Sequence, residues 1–99
     1  MLLIRDIMYC KPGKVRPLVE KFLAIKKLSE KMGVPMRVMT DVSAERYWTV
    51  VAEIEVPSLE AFMAMGANGD DAKEFESIMK GYHDLVDQGR REIYTLEGV

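Results

Sequence analysis

The sequence predicts an α+β sandwich of order β-α-β-β-α-β, a four-stranded antiparallel sheet with both helices on one face. Three observations predict it. Four β-favouring apolar runs occur along the 99 residues, two helix-period stretches separate them, and turn residues stand where the period changes.

The first strand is Leu2 to Cys10, stopped by Lys11-Pro12-Gly13-Lys14. Proline cannot donate to a ladder and glycine accepts unusual backbone angles, so a turn follows. From Val15 the period changes. Val15, Leu18, Val19, Phe22, Ile25, Leu28 and Met32 recur at three- and four-residue steps, while lysines and glutamates fill the other side. Pro17 sits in the first turn, where its missing N–H does little harm, and Gly33 ends the helix.

Val34 to Val42 alternates through Val34, Met36, Val38, Thr40 and Val42 and predicts the second strand. Ser43-Ala44-Glu45 has hairpin length. Arg46 to Val56 predicts the third strand, with Trp48, Val50, Ala52, Ile54 and Val56 on one face and Tyr47, Thr49, Val51, Glu53 and Glu55 on the other. Pro57 breaks it, and Ser58 caps a short helix through Leu59, Phe62, Met63 and Met65. Gly66-Ala67-Asn68-Gly69 interrupts the helical region. Asp71-Ala72-Lys73-Glu74 has the residues of a capping box, and a helix through Phe75, Ile78, Met79, Tyr82, Leu85 and Val86 runs to Gly89. Arg90 to Leu96 is the last strand. Helix-joined strands run parallel with right-handed crossovers and the middle pair forms a hairpin. The ferredoxin-like sandwich meets both requirements.

Length, charge and cysteine content narrow the partners. Residues 1–99 are expected to form a single domain. A net charge of −2 provides no basic field for phosphates, so no nucleic-acid partner is expected. A lone cysteine, Cys10, forms no internal disulfide, and no Cys/His pattern has metal-ligand spacing. Charge interrupts the N-terminal apolar run at Arg5-Asp6, and no stretch suits a bilayer. A cytoplasmic protein with no membrane partner, no metal and no cofactor is the expectation.

The sheet face away from the helices is the decisive surface. If Ile4 and the Trp48–Val56 set point at the helices, Leu3, Arg5, Ile7, Tyr9, Arg37, Met39, Tyr47, Val51, Glu53 and Tyr94 point away. That set is too apolar for a purely solvated face and too charged for a dry core. Exposed apolar patches mark interaction sites, and oligomers most often close through a two-fold axis. A homodimer through the sheet face, enclosing a partly polar cavity for a small-molecule ligand, is therefore expected.

The run Ile4-Arg5-Asp6-Ile7-Met8-Tyr9-Cys10-Lys11-Pro12-Gly13-Lys14 resembles the opening of NIPSNAP-like proteins, where an arginine-bearing strand enters a Lys-Pro-Gly turn. Gly89-Arg90-Arg91-Glu92-Ile93-Tyr94 is similar to the last strand of such domains. Ile7 departs from the pattern, standing where that family usually has a tyrosine. The wider group is the dimeric α+β barrel superfamily, which includes antibiotic-biosynthesis-type monooxygenases, haem-degrading enzymes and lactone isomerases. The resemblance implies the fold and the dimer, and leaves the reaction open.

Candidate ligand-binding residues follow from the outward face. Arg5 reads as an anchor for a carboxylate or enolate, or as an ion pair with Glu53. The ion pair is preferred, because arginine is seldom buried unpaired. Arg37, Tyr9, Tyr47 and Tyr94 offer charge and hydroxyls, although strand aromatics also follow from propensity alone. His83 suits acid–base work or axial ligation of haem, but falls at the edge of the apolar stripe, where a boundary role is preferred. Trp48 is expected in the core, and Cys10 in a packing role. The expected function is binding of a small, partly apolar acid or aromatic metabolite. A cofactor-independent monooxygenase or isomerase is the alternative, and haem handling the least favoured. No catalytic residue is identified.

Overall fold

The structure, a computed structural model, describes residues 1–67 and 69–98. Its elements in chain order are β1 (Leu2–Cys10), α1 (Val15–Lys31), β2 (Met36–Thr40), β3 (Thr49–Val56), α2 (Leu59–Ala64), α3 (Gly69–Met79), a 3-10 turn (Tyr82–Asp84) and β4 (Val86–Thr95). The strands form one sheet in the order β2-β3-β1-β4, with every neighbouring pair antiparallel. β1 and β2 thus run parallel across β3, and β3 and β4 across β1, which is the ferredoxin-like topology.

Register decides which residues meet. Arg5 lies opposite Glu53 of β3 and Glu92 of β4, and Arg37 of β2 also lies opposite Glu53. Because side chains alternate, Ile4, Val50, Ala52, Val56 and Met36 share the helix-facing side, and all are buried. α1 covers that side with Leu18, Val19, Phe22 and Leu28. Each such side chain contributes about 1.5–3 kcal/mol when removed from water. The end of α1 is tied by Ser29, whose hydroxyl donates to the Val34 carbonyl at 2.6 Å.

α2 begins as expected, with Ser58 Oγ accepting from the Ala61 N–H at 3.1 Å. The rest of the second helical layer differs from expectation. α3 starts at Gly69, so Asp71 lies within its first turn instead of capping it. The helix stops at Met79 instead of continuing to Gly89, and β4 starts at Val86 instead of Arg90. The break is at Gly81, whose φ of 83° is left-handed backbone that glycine adopts without a steric penalty. Beyond it, Tyr82, Leu85 and Val86 pack against the core from a turn and a strand. Of the expected interruption at 66–69, Asn68 lies outside the described residues.

The β2–β3 connection also corrects the sequence reading. It covers residues 41–48, where a three-residue hairpin loop was expected, and Val42, Arg46, Tyr47 and Trp48 belong to it and not to strands. Asp41 and Thr49 explain this. The Asp41 carboxylate accepts from the Thr49 N–H at 2.8 Å, and the Thr49 hydroxyl donates to the Arg46 carbonyl at 2.8 Å. These side-chain bonds replace ladder bonds and fold the loop on itself. Trp48 takes a φ of 59° and leaves the expected core position with its side chain 47% exposed, and Tyr47 is more exposed still.

Candidate functional site

On the open face of the sheet the structure brings together Arg5, Tyr9, Arg37, Glu53 and Tyr94. Glu53, 9% exposed, is the hub. Its carboxylate meets Arg5 Nε at 2.8 Å and Arg37 Nη2 at 2.5 Å, so the expected Arg5–Glu53 pair is present with a second arginine added. The Arg5 Nε–H is not aligned on that oxygen, which makes the contact electrostatic more than hydrogen-bonded. Glu92 continues the line. It lies 3.8 Å from Arg5 and 3.1 Å from Arg90 Nε, and accepts from the Tyr94 hydroxyl at 3.1 Å. Arg90 in turn donates to the Tyr9 hydroxyl, and Arg46 stacks over the Tyr9 ring at 4.2 Å. An unbroken chain of charges therefore crosses all four strands. Each carboxylate already has arginine partners, so this chain knits the strands and leaves little of itself for a ligand.

Two of the expected ligand-binding residues stand apart from this group. Tyr47 is in the 41–48 loop. His83 is exposed on the 3-10 turn, its ring stacked 4.0 Å from Tyr82. It is absent from the lining of the cavity on the sheet's other side.

That cavity has a volume of about 440 Å³ and lies between the sheet, α1 and the α2–α3 layer. Its apolar walls combine methionines (Met32, Met36, Met63, Met65) and phenylalanines (Phe62, Phe75) with aliphatic residues of the sheet and α1. The charged lining comes from Asp6, Asp71 and Arg91. Arg91 and Asp6 form a two-pronged pair: Nε donates to Oδ1 at 2.6 Å and Nη2 to Oδ2 at 3.2 Å. The guanidinium also sits 5.0 Å over the Phe62 ring. Its hydrogen bond to Asp6 holds Arg91 more firmly protonated than usual, outweighing a burial that pushes the other way. The space exists because the second helical layer packs loosely: α2 and α3 contain no buried residue among those described.

The sequence reading places the cavity on the open face, whereas this one is on the helix side, and it missed Asp6 and Arg91. A signal was there. Asp6 interrupts the inward set of Ile4, Met8 and Cys10, and a carboxylate at an inward position requires a partner. Cys10 fills a packing role: burial first, then the charge of Asp41, pushes its thiol upward, so it is protonated and weakly nucleophilic at neutral pH. Among the described residues no group of three or more His, Cys, Asp or Glu could hold a metal ion, and no helix is long and apolar enough to cross a membrane.

This element order and this sheet define a ferredoxin-like α+β protein, and solved structures with the same fold narrow the likeness. The chain is similar to an uncharacterized NIPSNAP domain protein from Burkholderia xenovorans (TM-score 0.81, 11% identity, covering 99% of this chain and 96% of that one). It is similar to a NIPSNAP family protein from Agrobacterium tumefaciens (TM-score 0.79, 10% identity, 98% and 93% covered). It is also similar to a protein from Nitrosomonas europaea provisionally described as an antibiotic biosynthesis monooxygenase (TM-score 0.77, 12% identity, 98% and 99% covered). The chain thus has a NIPSNAP-like ferredoxin-like fold, and at these identities the likeness is one of fold. No protein-family model and no curated protein sequence matches it.

Proposed function

We propose that the protein is a cytoplasmic homodimer that binds a small, partly apolar acid or aromatic metabolite in the cavity between the helices and the sheet. The cavity carries this reading. Its volume of about 440 Å³ is in the range that encloses small ligands, and an apolar wall with one polar cluster is the usual composition of such sites. Methionine walls adapt to a ligand's shape. The dimer is supported by the open face, where Met39 and Tyr94 stay exposed beside charges already neutralised by one another.

Three measurements test this. Native mass spectrometry of protein purified from cells is expected to show a retained small molecule. Ala72→Phe, which projects a ring from the exposed rim of α3, is expected to weaken binding of an apolar fluorescent probe at least tenfold. Probe binding that is indifferent to this change overturns the cavity reading. Light scattering that reports 11.3 kDa at high concentration overturns the dimer.

A second reading, a cofactor-independent monooxygenase or isomerase working in the same cavity, is supported by the likeness to the Nitrosomonas europaea protein. Oxygen uptake with a quinol substrate that is abolished by Ala72→Phe is the expected result. No uptake with a quinol overturns the monooxygenase.

A further inference from the structure

We infer that Asp6, by occupying Arg91, sets the cavity to accept uncharged ligands and to reject carboxylates. The inference rests on the cavity reading above and narrows it to one of the two ligand classes.

An arginine in an apolar cavity is ordinarily the natural anchor for an acid, because its planar fork matches a carboxylate with two parallel hydrogen bonds. Here that edge of the fork is taken. Nε and Nη2 of Arg91 make up the side edge of the fork, and both donate to Asp6, at 2.6 and 3.2 Å, which leaves a second carboxylate only the Nη1 end. One face of the guanidinium is covered as well, by Phe62. An incoming acid would have to displace Asp6, stranding it at an inward-facing strand position, or bind at the Nη1 end beside the charge of Asp6.

The charge balance points the same way. Among the described residues the charged side chains of the lining are two carboxylates, Asp6 and Asp71, and one guanidinium, Arg91, a formal charge of −1. A ligand carboxylate adds like charge beside Asp6, a repulsion that solvent reaching the half-exposed Arg91 reduces without reversing. Among the described residues the one other polar side chain of the lining is Ser29, whose hydroxyl proton is committed to the Val34 carbonyl at 2.6 Å. The apolar walls are thioethers, rings and aliphatic side chains, which favour contact area over charge. Asp6 and Arg91 are 85 residues apart in the chain and face each other only because β1 and β4 pair with Asp6 opposite Arg91. Selectivity is thus built into the sheet itself, on rigid neighbouring strands.

The test uses three probes of matched shape: 2-naphthol, 2-naphthoate and 2-naphthylmethylammonium. Binding is measured by calorimetry at neutral pH. For the unaltered protein the expected order is naphthol tightest, the ammonium next and naphthoate weakest, with naphthol ahead of naphthoate by about tenfold or more. Asp6→Asn removes the competing charge at nearly constant shape and releases the fork, so naphthoate is expected to gain about tenfold while naphthol changes little. Naphthoate binding the unaltered protein as tightly as naphthol overturns the inference and leaves the cavity reading standing. So does a folded Asp6→Asn protein in which naphthoate gains nothing. If none of the three probes binds, both readings fail. Should Asp6→Asn not fold, the order of the three probes on the unaltered protein still decides.

Discussion

One side of the sheet is covered by two helical layers that behave differently. α1 buries Leu18, Val19, Phe22, Leu28 and Ser29 in close packing against β1, β2 and β3. α2 and α3, over the other half, bury no side chain among those described, and Met63 and Phe75 remain exposed around a cavity. The difference teaches how one small core divides its labour. Apolar area under α1 holds the fold, and apolar area under α2–α3 is left open.

Four substitutions or measurements sharpen or break this contrast. Leu18→Ala should produce the largest effect. Its side chain is fully buried, so truncation is expected to cost about 3 kcal/mol in chemical denaturation. A loss under 1 kcal/mol would mean that α1 is not where stability resides. Lys21→Met should come next. Lys21 Nζ reaches from α1 to the Ile78 and Lys80 carbonyls, at 2.9 and 2.7 Å, and so fastens the end of α3. Loss of about 1 kcal/mol is expected, with faster amide hydrogen exchange confined to residues 69–79. Exchange that accelerates equally in α1 would contradict two separable layers. Phe75→Ala, on the loose side, is expected to cost less than about 1 kcal/mol, because its ring is 48% exposed, while weakening apolar probe binding.

The smallest effect concerns Cys10, on the packed side. Its thiol is pushed above the ordinary cysteine value by burial and then by Asp41. An acid whose folded-state pKa is raised contributes stability below the unfolded pKa, and that contribution is lost as pH rises through the interval above about 8.5. A slight decline of stability above that pH, absent in Cys10→Ser, is expected, together with slow alkylation of the native protein at neutral pH. Rapid alkylation at pH 7 would mean that the packed half opens easily.

Much of the architecture was legible because it is local. The limits of β1, the stripe and end of α1, the Ser58 cap and the two-residue alternation of β3 all follow from short-range periodicity and turn chemistry. The Arg5–Glu53 pair was legible too, since a charged residue on each of two pairing strands at matching parity invites it. What escaped was set by competition or distance. Trp48 has every propensity for a strand, yet the bonds of Asp41 and Thr49 hold it in a loop. Tyr82, Leu85 and Val86 continue a helical spacing that one left-handed glycine ends. Asp6 and Arg91 meet only through long-range register, and an unfilled volume has no residue of its own to announce it.

The position of Trp48 has a practical corollary. It is the chain's single indole, half in water at a loop, and it is not part of the cavity wall. Its emission will therefore change little when the cavity fills, so ligand binding there should be followed by another signal. The same fluorophore, beside Tyr47, is well placed to register any surface that closes over that loop.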